Sequence, residues 1–322
     1  MRLNAVLPDL AAAVAAALGR PVGADMQVAV AVSGGGDSLA LLLLAAQAFS
    51  GRVTALTVDH GLRAAAVAEA ACVAAQCATI GVPHVTLRWA GDKPHANIQS
   101  AARTARYGLM GDWCAGQGVG LLLTAHHADD QAETLLMRLQ RGSGSAGLAG
   151  IRAARPLVAG VTLVRPLLGV RRAMLAARVA AAGWHAVDDP SNADRRFDRT
   201  AARAVLAQTP AFDVPRLAAI AANLAAAEAA IDWAAARAWA AAAGLAADRI
   251  ELDVIGLPDE LVRRLVLRAI AALNPGSDPS GPALAALQAR LAAGGIGTLA
   301  GVKARGGAIW VFSRAAPRRK IG

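Results

Sequence analysis

The chain has 322 residues, with 33 Lys and Arg against 23 Asp and Glu, and a net charge of +10. This length predicts about two domains, and the abundance of aliphatic residues excludes a wholly disordered chain. All but three of the basic residues are arginines. Because a guanidinium pairs with phosphate through two hydrogen bonds, this bias favours an anionic partner. A drift in codon usage toward Ala and Arg is an alternative explanation of the same composition.

No targeting or membrane segment is predicted. Residues 1–20 carry Arg2, Asn4 and Asp9 before an Ala-rich stretch, which is the pattern of an amphipathic helix, whereas a secretory signal would need a basic start followed by a solid apolar core. The longest strongly apolar run, Leu39–Phe49, is 11 residues long and too short to span a bilayer. Cys72, Cys77 and Cys114 form no C-x-x-C pair and are typical of small buried hydrophobic residues in a reducing compartment. We therefore expect a cytoplasmic protein.

The first half of the chain alternates predicted strands with predicted helices. The strands are 27–32, 53–59, 84–87 and 120–125, and the helices are 38–49, 65–80, 98–117 and 129–141. Such alternation predicts an α/β fold with a doubly wound, mostly parallel sheet covered on both faces. In sheets of this kind, ligands bind beyond the carboxyl ends of the strands.

The pattern becomes less regular after Arg141. The predicted elements are a loop at 142–150, a strand at 161–166, a helix at 171–182, a polar segment at 188–203, a long Ala-rich helix at 214–243, helices at 261–273 and 282–293, and a hairpin at 298–312 about Gly306 and Gly307. We place the domain boundary near residue 210. The second domain, 211–322, is then a linker helix followed by a small helical or α+β domain.

The most informative segment joins the first predicted strand to the first long helix. It reads Ser-Gly-Gly-Gly-Asp-Ser and predicts phosphate binding by Ser33, Gly34, Gly35, Gly36, Asp37 and Ser38. Glycines let successive backbone N–H groups face an anion, and the start of the helix adds partial positive charge. Asp37 would repel a phosphate, so its position indicates a bridging divalent cation. An ordinary tight turn is the alternative.

Two other glycine patterns do not fit this chemistry. The chain contains no G-x-x-x-x-G-K-[ST] sequence, which excludes a Walker A loop. Residues 142–147 match G-x-G-x-x-G, but they follow a predicted helix instead of a strand, so we interpret the match as false.

The segment 33–38 resembles the SGGxDS loop of the N-type ATP pyrophosphatases, the PP-loop superfamily. Four further stretches narrow the resemblance, and they are 58–63 (VDHGLR), 102–107 (ARTARY), 124–134 (TAHHADDQAET), and 141–150 together with 165–168 (RPLL). In this order and spacing they resemble the bacterial tRNA(Ile)-lysidine synthetases over roughly residues 26–205. Residues 1–210 would then be the PP-loop ATP-binding catalytic domain, and the C-terminal domain would contact tRNA.

The resemblance implies a ligase that uses ATP and Mg²⁺ in two steps. ATP would adenylate the carbon-2 oxygen of the wobble cytidine of a CAU-anticodon isoleucine tRNA, with release of pyrophosphate. The ε-amine of free L-lysine would then displace AMP and leave lysidine.

An acidic cluster follows the fourth predicted strand. Asp130 and Glu133 lie one helical turn apart, and Asp129 lies one turn from Glu133. An attacking amine must be neutral, so a carboxylate that accepts its proton or holds its charged form suits the second step. The family likeness makes Asp37, Asp130, Glu133 and Arg203 the catalytic candidates, with Asp37 on Mg²⁺. Helix capping is an alternative role for Asp129 and Asp130.

Six further residues are weaker candidates for substrate binding. They are His60, Arg63, Arg103, Arg106, His127 and Asp129. The adjacent His126 and His127 suggest zinc, but the sequence shows no further ligand cluster and oxygen ligands favour magnesium.

Positive charge concentrates between Arg138 and Arg203, which hold 12 Arg and 4 Asp and so carry +8 of the net +10. Arginines scattered on loops and one helix, without an aromatic stacking platform, suit contact with the phosphate backbone more than base stacking, and a solvated surface is the alternative. Residues 188–192 and 199–203 resemble the family's DPSN and RNxxR region, although Thr200 stands where the family usually has Asn. In the second domain, Arg263, Arg264 and Arg268 and the basic tail at 317–320 are candidates for tRNA contact.

Two other functions share the ATP loop. A tRNA thiolase would carry paired cysteines for persulfide or cluster chemistry, which this sequence does not offer. A nucleotide-binding sensor without catalysis would not require the acidic cluster after the fourth strand.

Overall fold

A computed structural model describes residues 7–61, 65–91, 93–94, 97–186, 198–209, 211–246 and 248–316. The chain divides into two compact units, one extending to Ala225 and the other starting at Ala226. The boundary that the sequence predicts near residue 210 thus precedes the division between the compact units. Arg63, the DPSN segment and the basic tail at 317–320 lie outside the described residues.

The first unit is built on a six-stranded sheet. Its elements in chain order are α1 (Leu10–Leu18), β1 (Val28–Ala31), α2 (Gly36–Ala48), β2 (Val53–Asp59), α3 (Ala65–Thr79), β3 (His84–Arg88), α4 (Ile98–Gly116), β4 (Leu121–Leu123), α5 (Ala128–Gln140), α6 (Ser145–Leu148), β5 (Ala154–Val158), β6 (Val161–Val164), α7 (Arg172–Ala181) and α8 (Asp198–Gln208). The strand order is β3-β2-β1-β4-β6-β5, and every pairing is parallel except that of β5 with β6. The predicted α/β fold with a mostly parallel sheet is confirmed.

Helix α2 provides much of the core of this unit. Leu39, Leu41 and Leu42 have no exposed surface, because the helix packs between the sheet and neighbouring helices and is apolar on all sides. Truncating one such leucine to alanine costs about 2–5 kcal/mol. The rigid packing of α2 fixes the position of the glycine loop at its start.

The strand order indicates at which edge of the sheet a ligand would bind. The chain passes from β1 to β2 on one side and returns to β4 on the other, so the order reverses between β1 and β4. In open α/β sheets, ligands bind in the crevice beyond the carboxyl ends of the strands at such a reversal. The segments that follow β1 and β4 are the glycine loop and the start of α5, the two motifs that the sequence singles out.

Three elements of the first unit differ from the sequence prediction. Residues 142–150, predicted as a loop, contain the single turn α6, and residues 154–158 form the unpredicted strand β5. This strand contains Pro156, which lowers strand propensity and is tolerated because β5 lies at the sheet edge. The last part of the predicted polar segment belongs to helix α8, whose charged residues concealed its helical pattern.

The second unit combines helices with an antiparallel sheet. Its elements are the later part of α9 (Val214–Ala242), β7 (Ala243–Leu245), β8 (Arg249–Leu252), α10 (Asp259–Leu273), α11 (Gly281–Ala292), β9 (Ile296–Leu299), β10 (Val302–Arg305) and β11 (Trp310–Arg314). The strand order is β7-β8-β11-β10-β9. The hairpin predicted about Gly306 and Gly307 joins β10 to β11, whereas β7, β8 and β9 were too short for the sequence pattern to reveal.

Helix α9 is long and apolar enough, by length and composition alone, to cross a membrane, with a mean hydropathy of 1.3 over its most apolar window. Only 28% of that window is buried. Its alanines contribute much of the hydropathy value, and two of its larger apolar residues lie in protein cores, whereas Ile220 and Trp233 are exposed. Leu217 packs against α5 in the first unit, and Trp239 belongs to the core of the second. We therefore interpret α9 as a helix of the folded units.

Candidate active site

The glycine loop between β1 and α2 is shaped by its own serine. The Ser38 hydroxyl donates to the Gly35 carbonyl at 2.8 Å and accepts from the Ser33 backbone N–H at 3.2 Å. Gly34 adopts a φ of +84°, which favours glycine. Gly35 precedes α2 without a side-chain cap among the described residues. The first N–H groups at the start of α2, including that of Gly36, have no partner within the helix and could donate to an anion, and phosphate binding by this loop stays a prediction.

His127 links this loop to the acidic cluster. Its Nε2 lies 3.4 Å from Asp37 Oδ2 and 3.6 Å from Asp130 Oδ2, so these two carboxylates lie no more than about 7 Å apart. Its Nδ1 lies 3.7 Å from Asp129 Oδ2. The structure thus brings together three acidic residues from two motifs that are 90 positions apart in the sequence. His127 itself is buried, with 5% of its surface exposed.

The charge of His127 follows from these neighbours. Burial alone would lower the pKa of its imidazole, but the hydrogen bond with Asp37 and the charges of Asp130, Asp37 and Asp129 outweigh burial, and the pKa is raised. The raised pKa favours the protonated imidazole, which contacts Asp37 of the glycine loop and Asp130 of the acidic cluster.

Asp130 and Asp129 have structural roles in addition to their place at the site. Asp130 forms a capping box with His127, in which its carboxylate accepts from the His127 N–H at 3.0 Å. Asp129 accepts from the Arg172 backbone N–H at 2.8 Å and faces the Arg171 guanidinium at 3.3 Å, so it caps the start of α7. The capping role that the sequence left open is present for both residues.

Glu133 and Arg203 form an ion pair between α5 and α8 in which only the carboxylate is buried. Arg203 Nε donates to Glu133 Oε1 at 2.8 Å, and its terminal nitrogen donates to Oε2 at 3.4 Å. The Glu133 side chain is 3% exposed, whereas that of Arg203 is 43% exposed. The hydrogen bond from Arg203 to Glu133 raises the pKa of the guanidinium, which stays charged. Two predicted catalytic residues therefore contact each other directly.

Four arginines surround Tyr107, the single tyrosine of the chain. The guanidinium carbons of Arg103, Arg106 and Arg155 lie 5.1–5.4 Å from the centre of its ring. Arg165 is also close, because the Tyr107 side chain influences the pKa of its guanidinium. Burial lowers the pKa of both Arg106 and Arg165. The sequence predicted substrate binding by Arg103 and Arg106 but missed Arg155 and Arg165, because only the fold brings β5 and the end of β6 to α4.

His60 lies at the end of β2, beside this cluster. Its ring meets Trp89 edge-on with 6.0 Å between the ring centres, and its buried Nδ1 has no hydrogen-bond partner among the described residues. Burial, followed by the charge of Arg106, lowers the pKa of His60. A neutral imidazole with an unused nitrogen fits the predicted role in substrate binding.

The segment after α5 is fastened to that helix. The Gln131 side chain exchanges two hydrogen bonds with the Ile151 backbone, at 2.9 and 2.7 Å. Arg138 donates to the Gly150 carbonyl at 2.9 Å and also to that of Gly147. Helix α5 therefore carries the acidic cluster at its start and positions residues 142–151 along its length. Sequence reasoning gave no indication of these contacts.

Among the described residues, no group of three or more His, Cys, Asp or Glu side chains is arranged to hold a metal ion by itself. Asp37 and Asp130 nevertheless provide carboxylate oxygens near the glycine loop. Mg²⁺ is commonly held by one or two carboxylates, with phosphate oxygens and water completing its octahedron. The residues present fit such a shared site.

The second unit uses its basic residues differently from the sequence prediction. The Arg264 side chain is 11% exposed and donates to Glu228, Asp232 and Glu260, at 2.6 Å for Glu228 and 2.7 Å for Glu260. Arg263 also pairs with Glu260. Arg264 thus holds α10 to α9, which does not match the predicted grip on tRNA phosphate, because its donors are directed at carboxylates.

Comparisons with known proteins identify the relatives of this chain. Residues 10–209 match the PP-loop domain family. The tRNA(Ile)-lysidine synthase of Novosphingobium aromaticivorans is 48% identical over 299 residues, covering 91% of this chain and 90% of the relative. That of Zymomonas mobilis is 44% identical with the same coverage of both chains. The solved structure of the U34-tRNA thiolase NcsA from Methanococcus maripaludis with its [4Fe-4S] cluster superposes with a TM-score of 0.52 at 16% identity, over 65% of this chain and 77% of that one, and this likeness concerns the fold.

Proposed function

The chain belongs to the tRNA(Ile)-lysidine synthase family of PP-loop ATP-using enzymes, and we propose from this premise how its residues join lysine to tRNA. ATP and Mg²⁺ activate the carbon-2 oxygen of the wobble cytidine in a CAU-anticodon isoleucine tRNA, and free L-lysine replaces the activated oxygen. The observation that carries the proposal is the position of His127, which lies within 3.4 Å of Asp37 and 3.6 Å of Asp130. Phosphate loop and acidic cluster therefore belong to one site.

The glycine loop binds the pyrophosphate part of ATP. The N–H groups at the start of α2 face the phosphate oxygens, and the exposed Ser33 hydroxyl adds a donor. Ser38 acts on the loop itself, since its hydroxyl is committed to Gly35 and Ser33. Asp37, with Asp130 nearby, would hold Mg²⁺, which supplies Lewis-acid neutralisation of phosphate charge when bound.

In the first step, the cytidine oxygen attacks the α-phosphorus of ATP and pyrophosphate leaves. The developing negative charge requires preorganised cations and N–H donors. The half-exposed Arg203 guanidinium is fixed by Glu133 and reaches the same region, because its pKa responds to the charges of Asp130 and Asp37 as well. We assign it to the α-phosphate.

In the second step, the lysine ε-amine attacks carbon-2, and AMP leaves with the oxygen. The amine loses protons in this step, and a carboxylate must accept one. The side chain of Asp130 is 16% exposed, whereas that of Glu133 is 3% exposed and bound to Arg203. Asp130 is therefore the acceptor of the proton, and Glu133 positions Arg203.

The arginine-rich part of the chain contacts the phosphates of the tRNA. Arg172 on α7 lies 3.8 Å from Asp37 and is about half exposed, so it joins the arginine-rich surface to the site. The second unit adds further tRNA contact through its exposed basic residues. An enzyme that acts on tRNA with ATP and free lysine is expected in the cytoplasm.

The proposal is tested by incubating the protein with tRNA, ATP and Mg²⁺, and measuring pyrophosphate with and without the CAU-anticodon isoleucine tRNA. We expect release that depends on this tRNA and ceases when cytidine 34 is replaced by uridine. Release that is equal with either tRNA would contradict activation of the cytidine.

A tRNA thiolase on the same fold is the alternative, and cysteine chemistry separates the two. Burial raises the pKa of Cys77 to about 11 and that of Cys114 to about 12, so both thiols are protonated at neutral pH. Replacement of Cys72, Cys77 and Cys114 by alanine should leave lysine transfer intact. A thiolase would lose its activity in this variant.

A further inference from the structure

The peptide group at the beginning of the glycine loop is held by side chains at both ends. It joins Val32 to Ser33, so its oxygen is the Val32 carbonyl and its nitrogen is that of Ser33. The Thr57 hydroxyl donates to this carbonyl at 2.8 Å. The N–H of the same group donates to the Ser38 hydroxyl at 3.2 Å. Because both of its polar atoms are bound, the orientation of this peptide plane is fixed.

Thr57 belongs to β2, the strand beside β1, and is 7% exposed. The Val32 N–H donates to the Leu56 carbonyl of the same strand at 2.8 Å. The last residue before the loop is therefore bound to β2 through both its N–H and its carbonyl. A buried carbonyl needs a hydrogen-bond donor, and the Thr57 hydroxyl supplies it just beyond the end of β1.

His84 orients the Thr57 hydroxyl. Its Nε2 lies 2.9 Å from Thr57 Oγ1, and the pairing of Ala55 with His84 places both side chains on the same face of the sheet. The hydroxyl hydrogen is used on Val32, so the hydroxyl oxygen accepts from His84. We therefore assign a hydrogen to Nε2. Burial lowers the pKa of this imidazole, which favours its neutral form with that hydrogen in place.

These hydrogen bonds form one chain in which every donor points in the same direction. The chain passes in order through His84, Thr57, the peptide group of Val32 and Ser33, the Ser38 hydroxyl and the Gly35 carbonyl. The Gly35 carbonyl shares its peptide group with the Gly36 N–H at the start of α2. Hydrogen bonds in such a chain polarise one another, so each strengthens the next donor. The chain therefore ends on an N–H that has no partner within the helix.

We propose that Thr57 and His84 are positioning residues for the pyrophosphate site, which hold the glycine loop in the conformation that presents the Gly36 N–H to ATP. They act on the loop through the Val32 peptide group and Ser38. The inference rests on the proposed function, since it assumes that this loop binds the pyrophosphate part of ATP. It adds two residues from β2 and β3 that lie outside the loop motif.

The test separates the pyrophosphate part of ATP from the AMP part. Thr57→Val keeps the shape of the side chain but removes the donor, so the KM for ATP in tRNA-dependent pyrophosphate release should rise about 3- to 10-fold, as expected for one lost hydrogen bond. The Ki of pyrophosphate as a product inhibitor should rise by the same factor. The Ki of AMP and the KM for tRNA should stay within about twofold of wild type. A merely structural role would lower the amount of active enzyme, and hence kcat, without separating pyrophosphate from AMP.

Companion variants identify the group that acts. Thr57→Ser retains the hydroxyl and should keep the KM for ATP within about twofold of wild type. His84→Leu should raise this KM about 2- to 5-fold, and His84→Gln, whose amide N–H can replace that of Nε2, should restore it. Thr86→Val is the matched control, because Thr86 pairs with Thr57 in register and is exposed. His84→Leu carries the test if Thr57→Val does not fold.

Each outcome bears on the inference. An unchanged KM for ATP in folded Thr57→Val overturns it, and so does a serine variant that is as impaired as the valine variant. Equal increases in the Ki of pyrophosphate and of AMP also overturn it, because they show a general disturbance of the nucleotide site. If the wild-type enzyme releases no pyrophosphate with the CAU-anticodon tRNA, the proposed function fails instead, and calorimetric titration of the same variants with MgATP then tests the inference separately.

Discussion

Arg203 Nε donates to Glu133 Oε1 at 2.8 Å, joining helix α8 to helix α5 beside the acidic cluster. The carboxylate is buried and the guanidinium is 43% exposed, so one end of the pair is fixed in the protein and the other is accessible to a substrate phosphate. This arrangement supplies a charged donor with a defined orientation, which is what stabilisation of a phosphorus transition state requires.

Because Glu133 and Arg203 form an ion pair, we expect substitutions of the two residues to have coupled effects on the reaction rate. Arg203→Met should lower the stability of the enzyme by about 1–3 kcal/mol, because a buried carboxylate loses a charged hydrogen-bond partner, and should slow pyrophosphate release. Glu133→Gln should slow the same step through loss of orientation. In the double variant, the effects on the rate should be less than additive by about 1–2 kcal/mol. Additive effects in a double-mutant cycle would contradict joint action, and Arg203→Lys tests whether charge alone suffices.

We expect a substitution of Asp37 to affect pyrophosphate release but not tRNA binding. Asp37→Asn keeps the size of the side chain but removes the charge proposed for Mg²⁺, so pyrophosphate release should fall by at least about 100-fold, equivalent to about 2.7 kcal/mol. The Kd for tRNA should change less than about twofold. Asp112→Asn on α4 is the control for loss of an exposed carboxylate. Full activity of Asp37→Asn would exclude the metal assignment.

The sequence predicted the parts of this site that are local in the chain. Strand, glycine loop and helix start are adjacent in sequence, and the spacing of Asp130 and Glu133 defines one helix face, so both motifs could be located. The contact of His127 with Asp37, the cap that Asp129 provides for α7, and the arginines around Tyr107 depend on strand order. No pattern in the chain encodes those distances, and β5 and α8, which carry Arg155 and Arg203, were themselves missed as elements.

Binding of tRNA should weaken steeply with salt. Arginines that contact phosphates release condensed counterions, and each contact contributes about −0.7 to −0.9 to the slope of log K against log salt concentration. We expect a slope of about −3 to −5. If Arg178 on α7 contacts one tRNA phosphate, Arg178→Gln should make this slope shallower by just under one. Titration by fluorescence anisotropy at several salt concentrations measures the slope, and binding independent of salt would rule out phosphate contact as its source.

The second unit should lose stability in acid through Glu260. The hydrogen bond from Arg263, followed by that from Arg264, lowers the pKa of the Glu260 carboxyl below its usual value. A lowered folded-state pKa means that the stabilisation is present above the unfolded-state pKa, about 4.3, and is lost as pH falls through the folded-state pKa. Since the carboxylate is 40% exposed, the contribution is modest, at most about 1 kcal/mol.

Thermal unfolding of the full chain tests this. At pH 7, Glu260→Gln should lower Tm by about 1–3 °C, and the gap from wild type should close as pH falls from about 5 to below the folded-state pKa. Asp278→Asn, at an exposed position in the same unit, is the control. A gap that stays constant across this range would show that ionisation of Glu260 does not contribute.

The most direct test of the whole account is the mass of nucleotide 34 after reaction of CAU-anticodon isoleucine tRNA with the enzyme, ATP and Mg²⁺. Without lysine, the cytidine should carry an adenylate, and with lysine it should instead gain the mass of one lysine residue replacing its carbon-2 oxygen, with AMP released. Lysine incorporation without ATP, or an unmodified cytidine with folded enzyme and intact tRNA, would contradict the proposal.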